Sequence, residues 1–208
     1  TASGSRAVYG GGWTSPGVDI SYITIATEGN SIDFGANRTA GKGSYAPGLS
    51  NSTRGIFISA QEHPSYLATT DFVTIASTGD ASDFGDMSRA TSNGTAFASP
   101  TRGIQAGGFA AGAPTSDNII EFITIATTGD VTDFGDMTVA AARQAGCSSN
   151  TRGIICTGSL APDPSVNGNI IQFVTMASAG NATDFGDYVT VGENVRGVSN
   201  TLRGCLLY

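Results

Sequence analysis

Residues 119–137 form a motif that recurs along the chain, and they read Ile119-Ile120-Glu121-Phe122-Ile123-Thr124-Ile125-Ala126-Thr127-Thr128-Gly129-Asp130-Val131-Thr132-Asp133-Phe134-Gly135-Asp136-Met137. The motif occurs four times, and its central threonines are Thr24, Thr74, Thr124 and Thr175. These threonines are 50, 50 and 51 residues apart, and so regular a period indicates a repeat architecture whose units share one core. The sequence therefore predicts a single repeat domain over residues 1–208, with repeats at approximately 1–37, 38–87, 88–137 and 138–187 and a closing hairpin at 188–208.

A second marker recurs with nearly the same period, at intervals of 48, 48, 50 and 51 residues. It is an arginine followed by a short apolar run, and it occurs at Arg6, Arg54, Arg102, Arg152 and Arg203. A turn-forming cluster precedes each arginine, which is typical of a strand after a hairpin turn. The Ile-Thr-Ile-Ala runs suit a strand covered on both faces, and a Gly-Asp or Gly-Asn turn leads from each of them into an Asp-Phe-Gly strand. With an innermost strand of small residues, each repeat is predicted to hold four short strands.

Four-stranded sheets at this period predict an all-β fold of the β-propeller type. The layout resembles the kelch repeat, because Gly11-Gly12 and Gly107-Gly108 close the second strand and aromatic residues follow in the third. It departs from that family in lacking a tryptophan late in each repeat, since the only tryptophan, Trp13, lies in a loop. The resemblance implies a propeller of about four kelch-like, four-stranded blades of about 50 residues.

Closure of the ring leaves two alternatives, because the arginine run occurs five times and the threonine motif four times. In the first alternative, the strand from Leu202 to Tyr208 closes the ring beside the N-terminal strand. In the second, the array is open or five-bladed and is completed by another subunit, since unpaired strand edges favour association. The second alternative predicts an oligomer.

The residues of the motif resemble a narrower group. The run Ile-Glu-Phe-Ile-Thr-Ile-Ala-Thr-Thr-Gly-Asp, with Asp-Phe-Gly-Asp and Thr-Arg-Gly, is similar to kelch-like repeat proteins encoded by tailed bacteriophages, notably phages of marine bacteria. That resemblance implies a non-enzymatic structural protein of the virion, made in the host cytoplasm, that acts as a tail, fibre or surface module in assembly and host attachment. The implied partners are other virion proteins or copies of itself, and a host-surface glycan or receptor.

Charge and hydropathy limit the classes of partner. Only 13% of the residues are charged, the net charge is -7, and Lys42 is the single lysine. Without a basic patch, nucleic-acid binding is not expected. No run of about 18 apolar residues occurs, so membrane insertion is not expected either. The cysteines Cys147, Cys156 and Cys205 match no zinc spacing, and we predict that they are small buried residues in strands.

The residues offer little support for catalysis. His63 is the only histidine, so a Ser-His-Asp set has one possible base and a site of several histidines is excluded. Asp-Phe-Gly holds magnesium in kinases, but the phosphate-binding loop of that family is missing. We predict instead that each phenylalanine packs between neighbouring repeats, namely Phe34, Phe84, Phe134 and Phe185. The expected protein is thus not an enzyme and has no catalytic residue, cofactor or metal; a glycan-acting hydrolase is the third-ranked function.

Two sets of charged residues have alternative interpretations. The aspartates Asp80, Asp83 and Asp86 are spaced by three and offer carboxylates to calcium, but they lack the ligand order of an EF-hand loop. The five repeated arginines either surround an anionic ligand or pair with a carboxylate of a neighbouring repeat, such as Asp33 or Asp83. Because repeated aspartates are nearly as numerous as repeated arginines, we favour pairing.

The loops between the second and third strands break the repeat. They carry the candidate ligand- or partner-binding residues Trp13, His63, Tyr66 and Phe109. Loops at one repeat position emerge on one face of an array, and binding residues often lie on loops over a rigid scaffold. Exposed aromatic side chains there suit stacking on sugars or anchoring of a protein partner. A lectin-like carbohydrate-binding propeller is therefore the alternative function.

Overall fold

The computed structural model describes residues 1–10, 19–36, 46–62, 65–111, 116–200 and 202–207. In these ranges the chain forms β-strands joined by turns, and no helix is present. The predicted all-β class is therefore confirmed, whereas the propeller ring and its number of blades stay predictions. The strands are β1 (Arg6–Gly10), β2 (Asp19–Thr24), β3 (Ile32–Ala36), β4 (Gly48–Ser50), β5 (Arg54–Glu62), β6 (Ser65–Thr74), β7 (Ser82–Ser92), β8 (Thr95–Ala98), β9 (Arg102–Ala110), β10 (Ser116–Thr124), β11 (Thr132–Asp136), β12 (Ala141–Ala142), β13 (Ala145–Ser148), β14 (Arg152–Leu160), β15 (Asn167–Thr175), β16 (Thr183–Asp187), β17 (Arg196–Ser199) and β18 (Gly204–Leu207).

Each repeat forms an antiparallel sheet in sequence order. The first repeat contributes β1-β2-β3, the second β4-β5-β6-β7, the third β8-β9-β10-β11 and the fourth β13-β14-β15-β16, with β12 as a short additional partner of β14. The strands β17 and β18 pair with each other. The second and third strands of a repeat keep one register, in which the repeated arginine faces the threonine of the motif: Arg6↔Thr24, Arg54↔Thr74, Arg102↔Thr124 and Arg152↔Thr175.

A β-bulge lies at the same place in all four repeats. The pairing of the third and fourth strands shifts directly after Ile20, Thr70, Ile120 and Ile171. The extra residue of each bulge is the phenylalanine of Asp-Phe-Gly, and the glycine that follows it has a φ of 147° at Gly35, 141° at Gly85, 143° at Gly135 and 138° at Gly186. Side chains rarely adopt this backbone conformation, so the bulge explains why the motif carries glycine here.

The hydrophobic core lies between successive repeats. The phenylalanine of each Asp-Phe-Gly strand packs with the third strand of the following repeat: Phe34 with Val73 and Ile75, Phe84 with Ile123 and Ile125, and Phe134 with Val174 and Met176. These three phenylalanines are 2% exposed, so the predicted packing is confirmed for them. It is wrong for Phe185, which is 53% exposed, because in the described part only β17 and β18 follow and no third strand covers the ring.

The glycine that follows the repeated arginine is explained by a close approach between repeats. It lies under a side chain from the innermost strand of the preceding repeat: Gly103 under Leu49, Gly153 under Phe97 and Gly204 under Cys147. A Cβ on Gly103 would come within 2.6 Å of Leu49. Any larger residue would therefore force the two repeats apart.

The repeated arginines bridge neighbouring repeats through the backbone. Their Nη1 groups donate to carbonyls of the following repeat: Arg6 to Ile75 at 3.1 Å, Arg54 to Ile125 at 2.8 Å and Arg102 to Met176 at 3.1 Å. Each guanidinium also lies over an aromatic ring of its own repeat, 4.4 to 4.6 Å from the centroid. The predicted contact with a neighbouring repeat is present, but the acceptor is a carbonyl where a carboxylate was expected. Each of these carbonyls belongs to the first residue past the third strand, where the sheet no longer supplies a donor.

The Gly-Asp and Gly-Asn turns join neighbouring repeats as well. A turn side chain accepts a backbone N–H of the preceding repeat: Asp80 from Ala36 at 2.9 Å, Asp130 from Asp86 at 3.0 Å and Asn181 from Asp136 at 3.0 Å. The turn glycines donate to the carbonyls of the packed phenylalanines, for example Gly180 to Phe134 at 2.7 Å. Because Asn181 serves as well as an aspartate, this position requires an acceptor oxygen and not a charge.

The first and last described strands have separate pairing partners. β18 is hydrogen-bonded to β17, and β1 pairs with residues 1–3 through the bridge Ala2↔Ala7 and through the hydrogen bonds from Ser3 N to Arg6 O at 2.8 Å and from Val8 N to Thr1 O at 2.7 Å. Within the described ranges β18 makes no pairing with β1, and the manner in which the array closes stays a prediction.

Candidate binding site

Tyr66 and Phe109, two of the four residues singled out in the sequence, line the same cleft. The cleft has a volume of about 400 Å³, and its other lining residues in the described part are Gln61, Asn93, Arg143, Glu193 and Asn194. Trp13 and His63, the other two candidates, lie outside the described residues. The structure thus brings two of the predicted binding residues together, but the prediction that they lie in loops is wrong, because Tyr66 belongs to β6 and Phe109 to β9.

The cleft lies where strand ends of the second and third repeats converge. Gln61 and Tyr66 are cross-strand partners close to the β5–β6 turn. Phe109 is the penultimate residue of β9 and pairs with Ser92 at the end of β7. This pairing joins the sheets of the second and third repeats into one. Backbone hydrogen bonds therefore fix the two aromatic side chains relative to each other.

Arg143 of the fourth repeat adds a cation to the cleft. Its guanidinium lies 5.2 Å from the centroid of the Phe109 ring, and its Nη1 donates to Glu193 Oε2 at 2.8 Å. The two charged side chains are 36% and 27% exposed, and a pair this open to solvent stabilises the fold by about 0–1 kcal/mol. The main effect of these two contacts is to fix the orientation of the Arg143 guanidinium, because their contribution to the stability of the fold is small. Glu193 accepts one of its five N–H donors, which leaves others for a ligand.

The backbone beside the cleft is held in an uncommon conformation. Asn93, Arg143 and Asn194 occupy equivalent repeat positions and have φ of 58°, 58° and 59°. They are linked in series, because Arg143 N donates to Asn93 O at 2.7 Å and Asn194 N donates to Arg143 O at 3.0 Å. A left-handed residue other than glycine costs about 1–3 kcal/mol and persists where its surroundings fix it, often at functional sites.

A second cavity lies on the inner side of these three residues. It has a volume of about 310 Å³, and its lining comes from the second, third and fourth repeats and from the closing hairpin, at residues 46–48, 93–96, 143–146 and 194–197. Asn93, Arg143 and Asn194 border both this second cavity and the cleft.

The lining of the cleft suits recognition better than bond cleavage. Aromatic faces, a guanidinium and amide groups are the combination by which clefts orient a polar ligand. Hydrolysis of a glycosidic bond uses two carboxyl groups about 5 to 9.5 Å apart. Glu193 is the one carboxylate among the described lining residues, and it is paired with Arg143.

Sequence reasoning missed Arg143 and Glu193. Both lie in segments of small residues that were interpreted as innermost strands without a binding role. A signal was present, because Arg143 is not one of the five repeated arginines and it stands where the equivalent positions carry Asn93 and Asn194. A residue that breaks an otherwise repeated position marks a candidate site even inside a strand-forming segment.

A second ion pair lies outside the cleft. Arg89 binds Asp117 in a bidentate manner, with Nε to Oδ2 at 2.9 Å and Nη2 to Oδ1 at 2.8 Å. Burial raises the pKa of Asp117, although Arg89 and the Ile119 N–H act in the opposite direction. Since the same carboxylate accepts the Ile119 N–H at 3.1 Å, the pair has a structural role at the start of the third repeat's third strand.

The cysteines and acidic residues show no metal centre in the part of the chain that is described. No group of three or more His, Cys, Asp or Glu side chains lies close enough to hold an ion there. Cys147 and Cys156 are buried free thiols, and burial raises the pKa of Cys147 and raises that of Cys156 to about 12. The prediction of buried cysteines is wrong for Cys205, which is exposed because no third strand covers β18.

The fold and the cleft define a class of protein, an all-β repeat array whose loop edge carries an aromatic and guanidinium cleft. Comparison with known proteins adds no relative, because no family model and no curated protein matches the sequence. Among the described residues, no helix is long and apolar enough to cross a membrane.

Proposed function

We propose that the protein is a non-enzymatic structural module of a tailed-phage virion, part of a tail, fibre or surface decoration, that serves assembly and host attachment. The resemblance of its motif to phage-encoded kelch-like repeats supports the virion role. The convergence of Tyr66, Phe109 and Arg143 carries the attachment role, because three different repeats contribute these groups to one cleft.

The proposal includes a kelch-like propeller arrangement, in which the repeats are blades around the second cavity. Segments of the second, third and fourth repeats and of the closing hairpin border that cavity, which supports a radial arrangement. The missing pairing between β18 and β1 favours the open alternative, in which another subunit completes the array.

The ligand that fits the cleft best is a host-surface glycan. Tyr66 and Phe109 offer faces on which sugar rings stack, and the amide groups of Gln61 and Asn93 offer hydrogen bonds to hydroxyls. Arg143 adds a donor for an acidic sugar. The lectin-like alternative and the attachment role therefore share one ligand class.

The attachment role is tested with surface polysaccharides of candidate host bacteria on an array, followed by titration of any hit. We expect Tyr66→Ala and Phe109→Ala each to weaken binding about tenfold, since an aromatic contact is worth about 1 kcal/mol beyond the area it buries. Tyr9→Ala is the matched control, because Tyr9 is 58% exposed on β1 and does not line the cleft.

Circular dichroism spectra should be unchanged in all three variants. An array without a hit, or equal losses for Tyr9→Ala and Tyr66→Ala, would contradict glycan attachment through this cleft. Release of shortened polysaccharide chains during the titration would contradict the non-enzymatic part of the proposal.

A further inference from the structure

Arg143 occupies a backbone position that does not favour arginine. Its φ of 58° lies in the left-handed region, and the equivalent positions in the neighbouring segments are Asn93 and Asn194, with φ of 58° and 59°. Asparagine adopts this conformation more readily than residues with long side chains do. The backbone by itself favours asparagine in all three places, so the reason for arginine lies in the groups that its side chain reaches.

The contacts of this side chain within the protein are weak. The guanidinium lies 5.2 Å from the centroid of Phe109, whereas the repeated arginines lie 4.4 to 4.6 Å from theirs. The hydrogen bond to Glu193 belongs to an ion pair that is open to solvent, and such a pair contributes little to stability. These contacts explain how the guanidinium is oriented, and they do not by themselves explain why an arginine is here.

One edge of the guanidinium has no partner among the described residues. The hydrogen bond to Glu193 uses Nη1, and in the described part of the chain no acceptor contacts Nε or Nη2. These two nitrogens form an edge from which parallel N–H bonds reach a pair of oxygens on one acid group. Arg143 lines the cleft, so these donors are available to a ligand there.

The protein shows elsewhere how this edge binds an acid. In the pair of Arg89 and Asp117, Nε donates to Oδ2 at 2.9 Å and Nη2 donates to Oδ1 at 2.8 Å. The planar fork matches the paired oxygens of a carboxylate or of a phosphate, and bidentate bonds to a charged acceptor are among the strongest hydrogen bonds in proteins. The same edge of Arg143 is therefore suited to an anionic group of a ligand.

The rest of the lining suits a sugar beside that group. The half-buried Phe109 offers an apolar face for a sugar ring, and its centroid is 5.2 Å from the guanidinium, close enough for one sugar residue to contact both. The amides of Gln61 and Asn93 offer donors and acceptors to hydroxyl groups. An aromatic face, neutral amides and one open cationic edge together fit an acidic sugar better than a neutral one.

We propose that the cleft selects an acidic glycan, in which a carboxylate or phosphate group accepts hydrogen bonds from Nε and Nη2 of Arg143 while its sugar ring packs on Phe109. The inference rests on the attachment role proposed above and specifies its ligand class. Glu193 is a positioning residue. Its oxygen holds Nη1 in place, whereas its negative charge opposes that of the ligand.

Isothermal titration calorimetry of the full chain tests the proposal with oligosaccharides from a panel of acidic bacterial surface polysaccharides. Each probe is compared with its own neutral product, obtained by carboxyl reduction or by dephosphorylation. An ionic strength of about 0.15 M gives a Debye length of about 8 Å, which screens the distant carboxylates of a chain with a net charge of -7. We expect an acidic probe to bind about tenfold more tightly than its neutral product, and the arm that shows this loss identifies the acid group.

Arg143→Asn installs the residue that stands at the two equivalent positions. We expect this variant to unfold at the same urea concentration as the unsubstituted protein and to bind the acidic and neutral forms equally. Arg196→Asn is the matched control, because it removes the same charge from an exposed arginine that does not line the cleft. The control should keep the full preference for the acidic form.

Variants of Glu193 separate its acceptor from its charge. Glu193→Gln keeps an oxygen for Nη1 and removes the opposing charge, so the acidic form should bind about twofold to threefold more tightly and the neutral form should be unaffected. Glu193→Ala removes the acceptor as well, and it should bind the acidic form more weakly than Glu193→Gln does. A residue with only a structural role would not change the two forms differently.

Equal affinity for the acidic and neutral forms, tighter binding of the neutral form, or a preference that survives Arg143→Asn would each overturn the proposal. A preference that is lost equally in Arg196→Asn would overturn it too, because the net charge would then be the cause. Equal affinities that still fall about tenfold in Phe109→Ala would remove the acidic class and leave attachment through the cleft intact. Absence of binding by every member of the panel would overturn both.

Discussion

The glycine of each Asp-Phe-Gly strand meets two separate requirements. Its φ is between 138° and 147° in all four repeats, because it follows the extra residue of a bulge in its own strand. At Gly135 a Cβ would also come within 2.6 Å of the carbonyl carbon of Gly180 in the next repeat. At Gly186 a Cβ would meet nothing within 4 Å. The backbone requirement is thus local, and the steric requirement comes from the neighbouring repeat.

Gly135→Ala and Gly186→Ala separate these two requirements. Both carry backbone strain of about 1–3 kcal/mol, and we expect Gly135→Ala to lose about 1–3 kcal/mol more through overpacking against Gly180. Urea denaturation at concentrations where the protein is monomeric measures the difference. Equal losses would show that the steric requirement is not significant.

The third strand of each repeat stabilises the array because it contacts two repeats. It pairs within its own sheet and, at the same time, covers the phenylalanine of the preceding repeat. The residue just past it accepts the arginine of that preceding repeat, as Met176 does from Arg102. The sequence Ile-Thr-Ile-Ala therefore serves two repeats, which explains why its apolar residues lie on both faces of the strand.

Phe134→Ala and Phe185→Ala compare a covered and an open phenylalanine in the same motif. We expect Phe134→Ala to lower the free energy of unfolding by about 3–5 kcal/mol, because it leaves a cavity between two repeats. Phe185→Ala in the monomer should lower it by about 1 kcal/mol or less, since its ring is half exposed. Thermal or urea unfolding measures both values. A similar loss for the two variants would contradict the exposure of Phe185.

At the scale of the whole molecule, each repeat is stabilised chiefly by its neighbours. The three large hydrophobic clusters each join two successive repeats, and none joins the first repeat to the last. A quasi-linear array of this kind has its lowest local stability at its ends, where a repeat has one neighbour.

Amide hydrogen exchange tests this gradient. We expect β9 and β10 to exchange most slowly, because the third repeat is covered on both sides, and β17 and β18 to exchange fastest. Uniform protection along the chain would mean that it unfolds as one unit without weaker segments.

The four strands of a repeat could be predicted because their signals are local. The run Ile-Thr-Ile-Ala, the Gly-Asp turn and the glycine of Asp-Phe-Gly each report on backbone conformation within a few residues. The candidate site was predicted in part. Tyr66 and Phe109 stood out as aromatic residues in segments that break the repeat and were predicted to be loops. The cation of the cleft, Arg143, came from a segment that resembled an innermost strand.

Residue type and spacing alone thus account for the all-β class, the repeat unit and the packing of three phenylalanines between repeats, because these depend on patterns that recur every 50 or 51 residues. Identical motifs cannot reveal which copy lacks a neighbour, so the exposure of Phe185 became visible only in three dimensions. The same holds for Arg143, which meets Phe109 and Glu193 from other repeats. Contacts of this kind depend on how the repeats are stacked, and that stacking is a property of the assembled core.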